Sequence, residues 1–289
     1  MKKILAFSIT GALILFFILA GLYAAFIEQQ DMIYDENETI SIIAWNLQIF
    51  GDKKANNSEL MQNYVDILDG YDIIILQEIR DSDGSAFNAL CSRFEGYTCK
   101  ISSRAGRSTS KEQYAVLYRN TLELKEFKDY NPDAIDRWER PPAKVDFSNE
   151  NNYSFSIYIL HAKPEDATNE IVHLEELVES EISSGLNTNI IILGDLNADC
   201  AYYDELERDF FDYYWIIKNN EDTTAGNSNC AYDRIIVNEN MMQEIIGYDI
   251  DKTTNTEMSD HYPITMLIRN KEHVRDTSFK KFILWLFLQ

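Results

Sequence analysis

The chain has 289 residues, enough for one large domain or two small ones. Its hydrophobic fraction of 45%, with 17 Tyr and 15 Phe, supplies a substantial core and excludes a disordered polypeptide. A net charge of −22, from 48 acids against 26 bases, excludes a protein that holds nucleic acid on a broad basic surface, but not an enzyme that touches a few phosphates through a metal and two or three arginines.

Met1-Lys2-Lys3 precedes an uncharged stretch from Ile4 to Ile27, 24 residues long. About 20 residues of helix cross a bilayer, whereas a secretory apolar region usually has about 7–15. Ala20, Gly21, Ala24 and Ala25 permit cleavage, while Leu22 and Tyr23 interrupt an A-x-A pattern. Residues 1–27 therefore read as a signal peptide or an uncleaved transmembrane anchor. In both cases the lysine pair stays inside, and the domain is exported, either secreted or membrane-anchored. Residues 28–39 are acidic and polar, a linker.

From residue 40 to about 270, short β-rich runs alternate with amphipathic stretches. Ile42–Trp45, Ile73–Leu76, Tyr114–Tyr118, Phe155–Leu160, Ile190–Leu193, Asp233–Val237 and His261–Ile268 are predicted strands. Several are almost continuously apolar, as strands covered on both faces are. Asn57–Leu68 and Ala167–Ser183 show helical spacing, the second with Thr168 or Asn169 as a capping residue. A layered α/β domain with helices outside packed sheets follows. Residues 271–289 form a tail whose final apolar run, Phe282 to Leu288 after Lys280-Lys281, is too short to span a membrane and suits an interface or a packed end.

The four cysteines all lie in the exported part, where an even number implies two disulfides, with Cys91–Cys99 and Cys200–Cys230 the natural pairing. The second would close a loop worth roughly 3–4 kcal/mol of chain entropy. Four buried free thiols are the alternative, and zinc-type Cys/His spacing is absent.

Polar residues stand at the ends of most predicted strands. Asn46 and Gln77-Glu78 follow the first two. His161 follows the fourth, and Asp195 and Asn197 follow the fifth; Asp233 and Asp260-His261 open the last two. Any one of these suits a turn or cap, but six coincidences point to a site. In an extended chain residues i and i+2 face the same way, so Asp195 and Asn197 can address one metal or one substrate. Carboxylate and amide oxygens without thiolates suit Mg²⁺, Mn²⁺ or Ca²⁺.

Trp45-Asn46, Leu76-Gln77-Glu78, Gly194-Asp195-Leu196-Asn197 and Ser259-Asp260-His261 resemble the signature blocks of the endonuclease/exonuclease/phosphatase superfamily. Gln77 to Asp81, Gly194 to Cys200, Asp222-Thr223-Thr224 and above all Asn229 to Ile235 resemble the deoxyribonuclease I family within it, from about Ile42 to about Met266. The resemblance implies a four-layer sandwich of two packed, mainly antiparallel sheets flanked by helices. It implies a divalent-metal-dependent phosphodiesterase acting on DNA and leaving 5′-phosphate ends. Glu78 is then the principal metal ligand, with Asp260, Asn46, Asp195 and Asn197 completing a cation and phosphate cradle for Mg²⁺ or Mn²⁺. His161 and His261 become paired acid and base, in either order, backed by Glu112 and Asp233. Arg80 and Arg140 become DNA contacts, and Cys200–Cys230 a family disulfide.

The sequence departs from that pattern in places. Ser110 stands where the family has a tyrosine that stacks in the minor groove, a loss that weakens such binding. Of the family's structural Ca²⁺ sites Asp222 and Thr224 remain, but Pro141 stands where a glutamate is expected. Cys91–Cys99 is an addition. His173 and His273 read as structural or solvated. A lipid or inositol-phosphate substrate at the same site, and a non-enzymatic surface binder, are the competing readings.

Overall fold

The computed structural model describes residues 14, 16–26, 38–185, 188–204, 206–207, 209–271 and 286. Most of the expected leader, of the linker and of the tail, including His273 and nearly all of Phe282–Leu288, lies outside the described residues. Residues 16–26 are helical, and no helix among the described residues is long and apolar enough to cross a membrane. Residues Ile40–Lys271 form one compact unit.

The described residues contain twelve strands: β1 (Thr39–Phe50), β2 (Ile73–Ile79), β3 (Tyr97–Ile101), β4 (Gln113–Arg119), β5 (Glu123–Asp129), β6 (Ala143–Ser148), β7 (Ser154–Ile159), β8 (Ile190–Asp195), β9 (Tyr214–Trp215), β10 (Asp233–Val237), β11 (Ile245–Ile250) and β12 (Ile264–Arg269). They form two six-stranded sheets, ordered β11-β12-β1-β2-β4-β3 and β5-β6-β7-β8-β10-β9. β1 pairs parallel with β2, and β7 with β8. Every other pairing whose register is described is antiparallel. A parallel pair needs a crossover, supplied by the Ser58–Leu68 helix between β1 and β2 and by the Ala167–Ser183 helix between β7 and β8. Each sheet thus repeats one plan, with a hairpin beside a parallel pair followed by an antiparallel strand.

Successive side chains on a strand point to opposite faces, and here both faces are covered. Ile42, Ala44, Ile73, Ile75 and Val116 meet Val145, Phe155, Ile157, Ile191 and Ile235 between the sheets. Ile43, Trp45, Ile74 and Leu76 pack outward with Tyr64, Leu68, Phe87 and Leu90. On the other sheet Tyr158, Ile190 and Ile192 pack with Ile171, Leu174 and Val178. The result is a helix, sheet, sheet, helix sandwich, which accounts for the unbroken apolar runs in the predicted strands.

The seven predicted strands fall on β1, β2, β4, β7, β8, β10 and β12, although β1 continues to Phe50 and β12 starts at Ile264, after His261. Sequence reasoning missed β3, β5, β6, β9 and β11. Of these, β5 (ELKEFKD) lies at a sheet edge with little burial, where charge protects an open edge and erases the apolar signal. Asn57 caps the Ser58–Leu68 helix, accepting from the N–H groups of Glu59 and Leu60. Neither Thr168 nor Asn169 caps the other helix: both lie inside it, after Asp166 and the 3₁₀ turn Pro164–Asp166. Both expected disulfides form, Cys91–Cys99 joining the end of the Ser85–Cys91 helix to β3 and Cys200–Cys230 joining the loop after β8 to the approach to β10.

One charged cluster is built into the second sheet. Lys144, 1% exposed, lies 3.0 Å from Glu126, 3.0 Å from Asp146 and 3.1 Å from Glu181. Burial works against the charge of Glu181, but hydrogen bonds from Lys128, Tyr130, Tyr158 and Lys144 hold its carboxyl down at about 2. A depressed carboxyl stabilises the fold above its ordinary value of 4.5, and that contribution fades as pH falls toward 2. Glu181→Gln should therefore cost about 2 kcal/mol at neutral pH, by removing the carboxylate that Lys128, Tyr130, Tyr158 and Lys144 share. Thermal melts of the variant and parent should converge as pH drops below 4; a constant gap would contradict this account.

Candidate active site

The ends of the two parallel pairs meet. Gln77, fully buried at the end of β2, donates from Nε2 to Leu160 O at 2.7 Å and accepts at Oε1 from Asp195 N at 2.8 Å, which ties the first sheet to the second. Gly194 makes this approach possible. A Cβ there would sit within 3.0 Å of both Leu160 O and Gln77 Nε2, at a φ of +131°. Asn46 adds a second tie, Nδ2 donating to Asp195 Oδ2 at 3.0 Å and to Glu78 Oε1 at 3.3 Å.

A regular strand cannot aim Gln77 and its neighbour Glu78 into one place. Here the register slips between Asn46 and Phe50 on β1 and between Leu76 and Ile79 on β2. Gln48, Ile49 and Glu78 adopt φ values of 45°, 60° and 57°. Positive φ is costly for a β-branched residue such as Ile49. It is held by the Ile49 N–H, which donates to Glu78 Oε2 at 2.9 Å. The bulges turn the Glu78 carboxylate towards Asn46.

Two imidazoles join them, His161 from beyond β7 in the second sheet and His261 from just before β12 in the first. His161 Nε2 lies 3.3 Å and His261 Nε2 3.4 Å from the same oxygen, Asp195 Oδ2. Each ring has a carboxylate on its other side: Glu112 Oε2 lies 3.3 Å from His161 Nδ1, and Asp233 Oδ2 lies 2.7 Å from His261 Nδ1. The β8–β10 register places Asp233 opposite Asp195. Burial disfavours the charged form of His261, yet the Asp233 and Asp195 carboxylates, with Asp260 beyond, raise its pKa to about 10. Glu112 is likewise opposed by burial but brought down to about 2 by His161, Arg140 and Arg80. Asp195 is also held low, by both histidines and Asn46 against burial.

The remaining expected site residues are placed as follows. Arg80 Nε lies 3.2 Å from Glu78 Oε2 and Nη1 donates to Ser110 Oγ at 2.9 Å, with a quarter of the side chain exposed. Arg140 faces inward: Nη1 lies 2.7 Å from Glu112 Oε1, while Nε and Nη2 each donate at 2.9 Å to His161 O and Ala162 O. The i, i+2 argument for Asp195 and Asn197 fails, because the chain leaves the extended form. Asn197 has φ 48°, its N–H donates to Asp195 Oδ1, and its amide nitrogen donates to Ala162 O. Asp260 is half-exposed, with Oδ1 3.8 Å from His261 Nε2. Asp222 Oδ1 accepts from the N–H and hydroxyl of Thr224.

Two residues escaped the sequence reading. Lys54 Nζ donates to Leu47 O and Met258 O, and burial lowers its pKa to about 8 against the pull of Asp260 and Glu78. Tyr114 OH donates to Arg140 O and accepts from His161 N. A lone lysine and a strand tyrosine carry no sequence signal of such roles.

A profile of the Endonuclease/Exonuclease/phosphatase family matches residues 43–261. Deoxyribonuclease-1 of Equus caballus is 31% identical over 260 residues, covering 80% of this chain and 92% of that protein. Deoxyribonuclease-1-like 2 of Mus musculus is 31% identical over 258 residues, with the same coverage. This chain belongs to the deoxyribonuclease I family of the endonuclease/exonuclease/phosphatase superfamily. Among solved structures, an endonuclease/exonuclease/phosphatase family protein from Bacteroides thetaiotaomicron superposes with a TM-score of 0.60 at 16% identity, covering 80% of this chain and 97% of that one. A 3′ phosphatase from Neisseria bound to a product DNA hairpin gives 0.57 at 17% identity, covering 78% and 98%. At these identities the likeness is one of fold.

The site also fits the divalent cation that the deoxyribonuclease I family implies. Glu78, Glu112, Asp195, Asp233 and Asp260 bring five carboxylates together against the guanidinium groups of Arg80 and Arg140 and the two imidazoles. The carboxylate and amide oxygens there, without thiolate, are the donors that hard divalent ions take. Gly194→Ala should cost roughly 2–4 kcal/mol, from its positive φ and the collision with Leu160 O and Gln77. Chemical denaturation would register this, and an unchanged midpoint would refute the tight approach.

Proposed function

We propose that this chain is an exported, divalent-metal-dependent DNA endonuclease that leaves 5′-phosphate ends. The observation that carries the reading is the pair of carboxylate-backed imidazoles converging on Asp195 Oδ2 beside the Glu78–Asn46 cluster. Phosphodiester hydrolysis needs a water to lose a proton as it attacks phosphorus and the departing 3′ oxygen to gain one. Two imidazoles at one centre supply both transfers. Glu112 and Asp233, facing the Nδ1 atoms, fix each ring so that Nε2 addresses the substrate.

Glu78, Asn46, Asp195, Asn197 and Asp260 are assigned to the cation and phosphate cradle. A bound Mg²⁺ or Mn²⁺ there would neutralise charge developing on the phosphoryl oxygens. Arg80, partly exposed beside Glu78, is assigned to a DNA phosphate. Arg140 buttresses Glu112 and keeps only an edge for substrate. With a net charge of −22 and Ser110 hydrogen-bonded to Arg80 where the family resemblance expects a stacking tyrosine, DNA binding is weak. Two disulfides suit an oxidising compartment.

Purified protein should nick supercoiled plasmid with Mg²⁺ or Mn²⁺, and a chelator should abolish this. His161→Ala and His261→Ala should each reduce the rate by about 10²–10⁴-fold while melting temperature stays within a few degrees. The nicks should carry 5′ phosphate, ligating directly and accepting label from polynucleotide kinase only after phosphatase treatment. Faster turnover of labelled sphingomyelin in a parallel assay would move the substrate to lipid, and full activity in either histidine variant would remove the assignment.

A further inference from the structure

Beyond the imidazole cluster, three carboxylates gather where the chain leaves β1 and β2. Asp52, Asp81 and Asp83 each present an oxygen, and the three oxygens lie within 4.8 Å of one another. Asp52 and Asp83 are exposed, whereas Asp81 is only 6% exposed. Among the described residues none of the three is ion-paired with a lysine or arginine side chain. Asp81 Oδ2 accepts from Ala86 N at 3.0 Å, but Oδ1 is shut off from solvent and has no hydrogen-bond donor. A buried carboxylate oxygen left bare is rare and costly. Beside two further carboxylates it marks a place for positive charge.

We propose that Asp52, Asp81 and Asp83 bind a Ca²⁺ ion outside the catalytic centre. Two oxygens on one Ca²⁺, each at 2.3–2.6 Å, lie no more than about 5 Å apart, and this set meets that limit. The donors are all oxygen and come from two segments, the start of the short Asp52–Ala55 helix and the loop after β2. Ser85 adds a hydroxyl, 3.3 Å from Asp52 Oδ1, and its N–H holds Asp83 Oδ1 at 3.0 Å. Solvent completes the shell at the two exposed residues. Ca²⁺ accepts such an irregular cage, whereas Mg²⁺ demands near-octahedral geometry and keeps its own waters.

The ion ties together two chain segments that matter for the imidazole site. Asp52 follows β1, which carries Asn46, and Asp81 follows β2 and Arg80. The two segments already touch, since Arg80 N donates to Phe50 O at 2.7 Å. A cation here pins the bulged strand ends that aim Glu78 and Arg80, independently of what that site hydrolyses.

The test needs no enzymatic activity. Equilibrium dialysis with radioactive Ca²⁺ and thermal melts compare the parent, the Asp52→Asn/Asp83→Asn double variant and Glu78→Gln. Both residues of the double variant are exposed, so its fold in chelator should match the parent. It should bind one Ca²⁺ fewer per chain and lose a Ca²⁺-dependent rise in melting temperature of several degrees, while Glu78→Gln keeps both. Equal stoichiometry and equal shifts in parent and double variant would overturn the site. An equal rise with Mg²⁺ through the same two residues would overturn the choice of Ca²⁺.

Discussion

The side chain of Gln77 is the clasp on which the rest of this molecule depends. It lies fully buried between the sheets, giving one hydrogen bond to Leu160 O and taking one from Asp195 N. A buried carboxamide needs both of its ends satisfied. Satisfying them fixes the height of one sheet against the other to within hydrogen-bond tolerance. Gly194 must lack a side chain for the approach to occur. Because Glu78 is the next residue along and Asp195 is the group clasped, docking the sheets and assembling the site are one event.

The sandwich carries the rest by repetition. Each sheet places a parallel pair at its centre, with a helix covering the outer face, and β1, the ends of β2 and β8, and the second residue past β7 supply Asn46, Glu78, Asp195 and His161. The histidines are each fixed from behind by a carboxylate on a different strand, β4 for Glu112 one residue upstream and β10 for Asp233. Charge balance follows from this packing. Carboxylates outnumber fixed cations both at the imidazole centre and at Asp52, Asp81 and Asp83, and in each place the imbalance is a property of strand ends brought close. A divalent ion answers it with little reorganisation.

Much of this was legible in the sequence. Apolar runs marked seven strands because both faces of those strands are covered, and the two crossover helices showed through their amphipathic spacing. The blocks around Asn46, Glu78, Asp195 and His261 marked the site because they sit at strand ends. Edge strands such as β5 stayed hidden, since their charged residues serve solubility rather than packing. The role of Lys54 stayed hidden too, because it depends on Leu47 and Met258, carbonyls that come close only in the folded chain.

The sequence by itself determined the family, the layered architecture and the identity of the polar residues at the strand ends, since these follow from local periodicity and from short blocks of fixed chemistry. Only the tertiary structure decided where those residues point. The bulges that turn Glu78, the left-handed turn that takes Asn197 away from an extended course, and the inward hydrogen bonds of Arg140 all arise from contacts between distant segments. Direction is set by what a side chain meets after packing, and no stretch of chain carries that information alone.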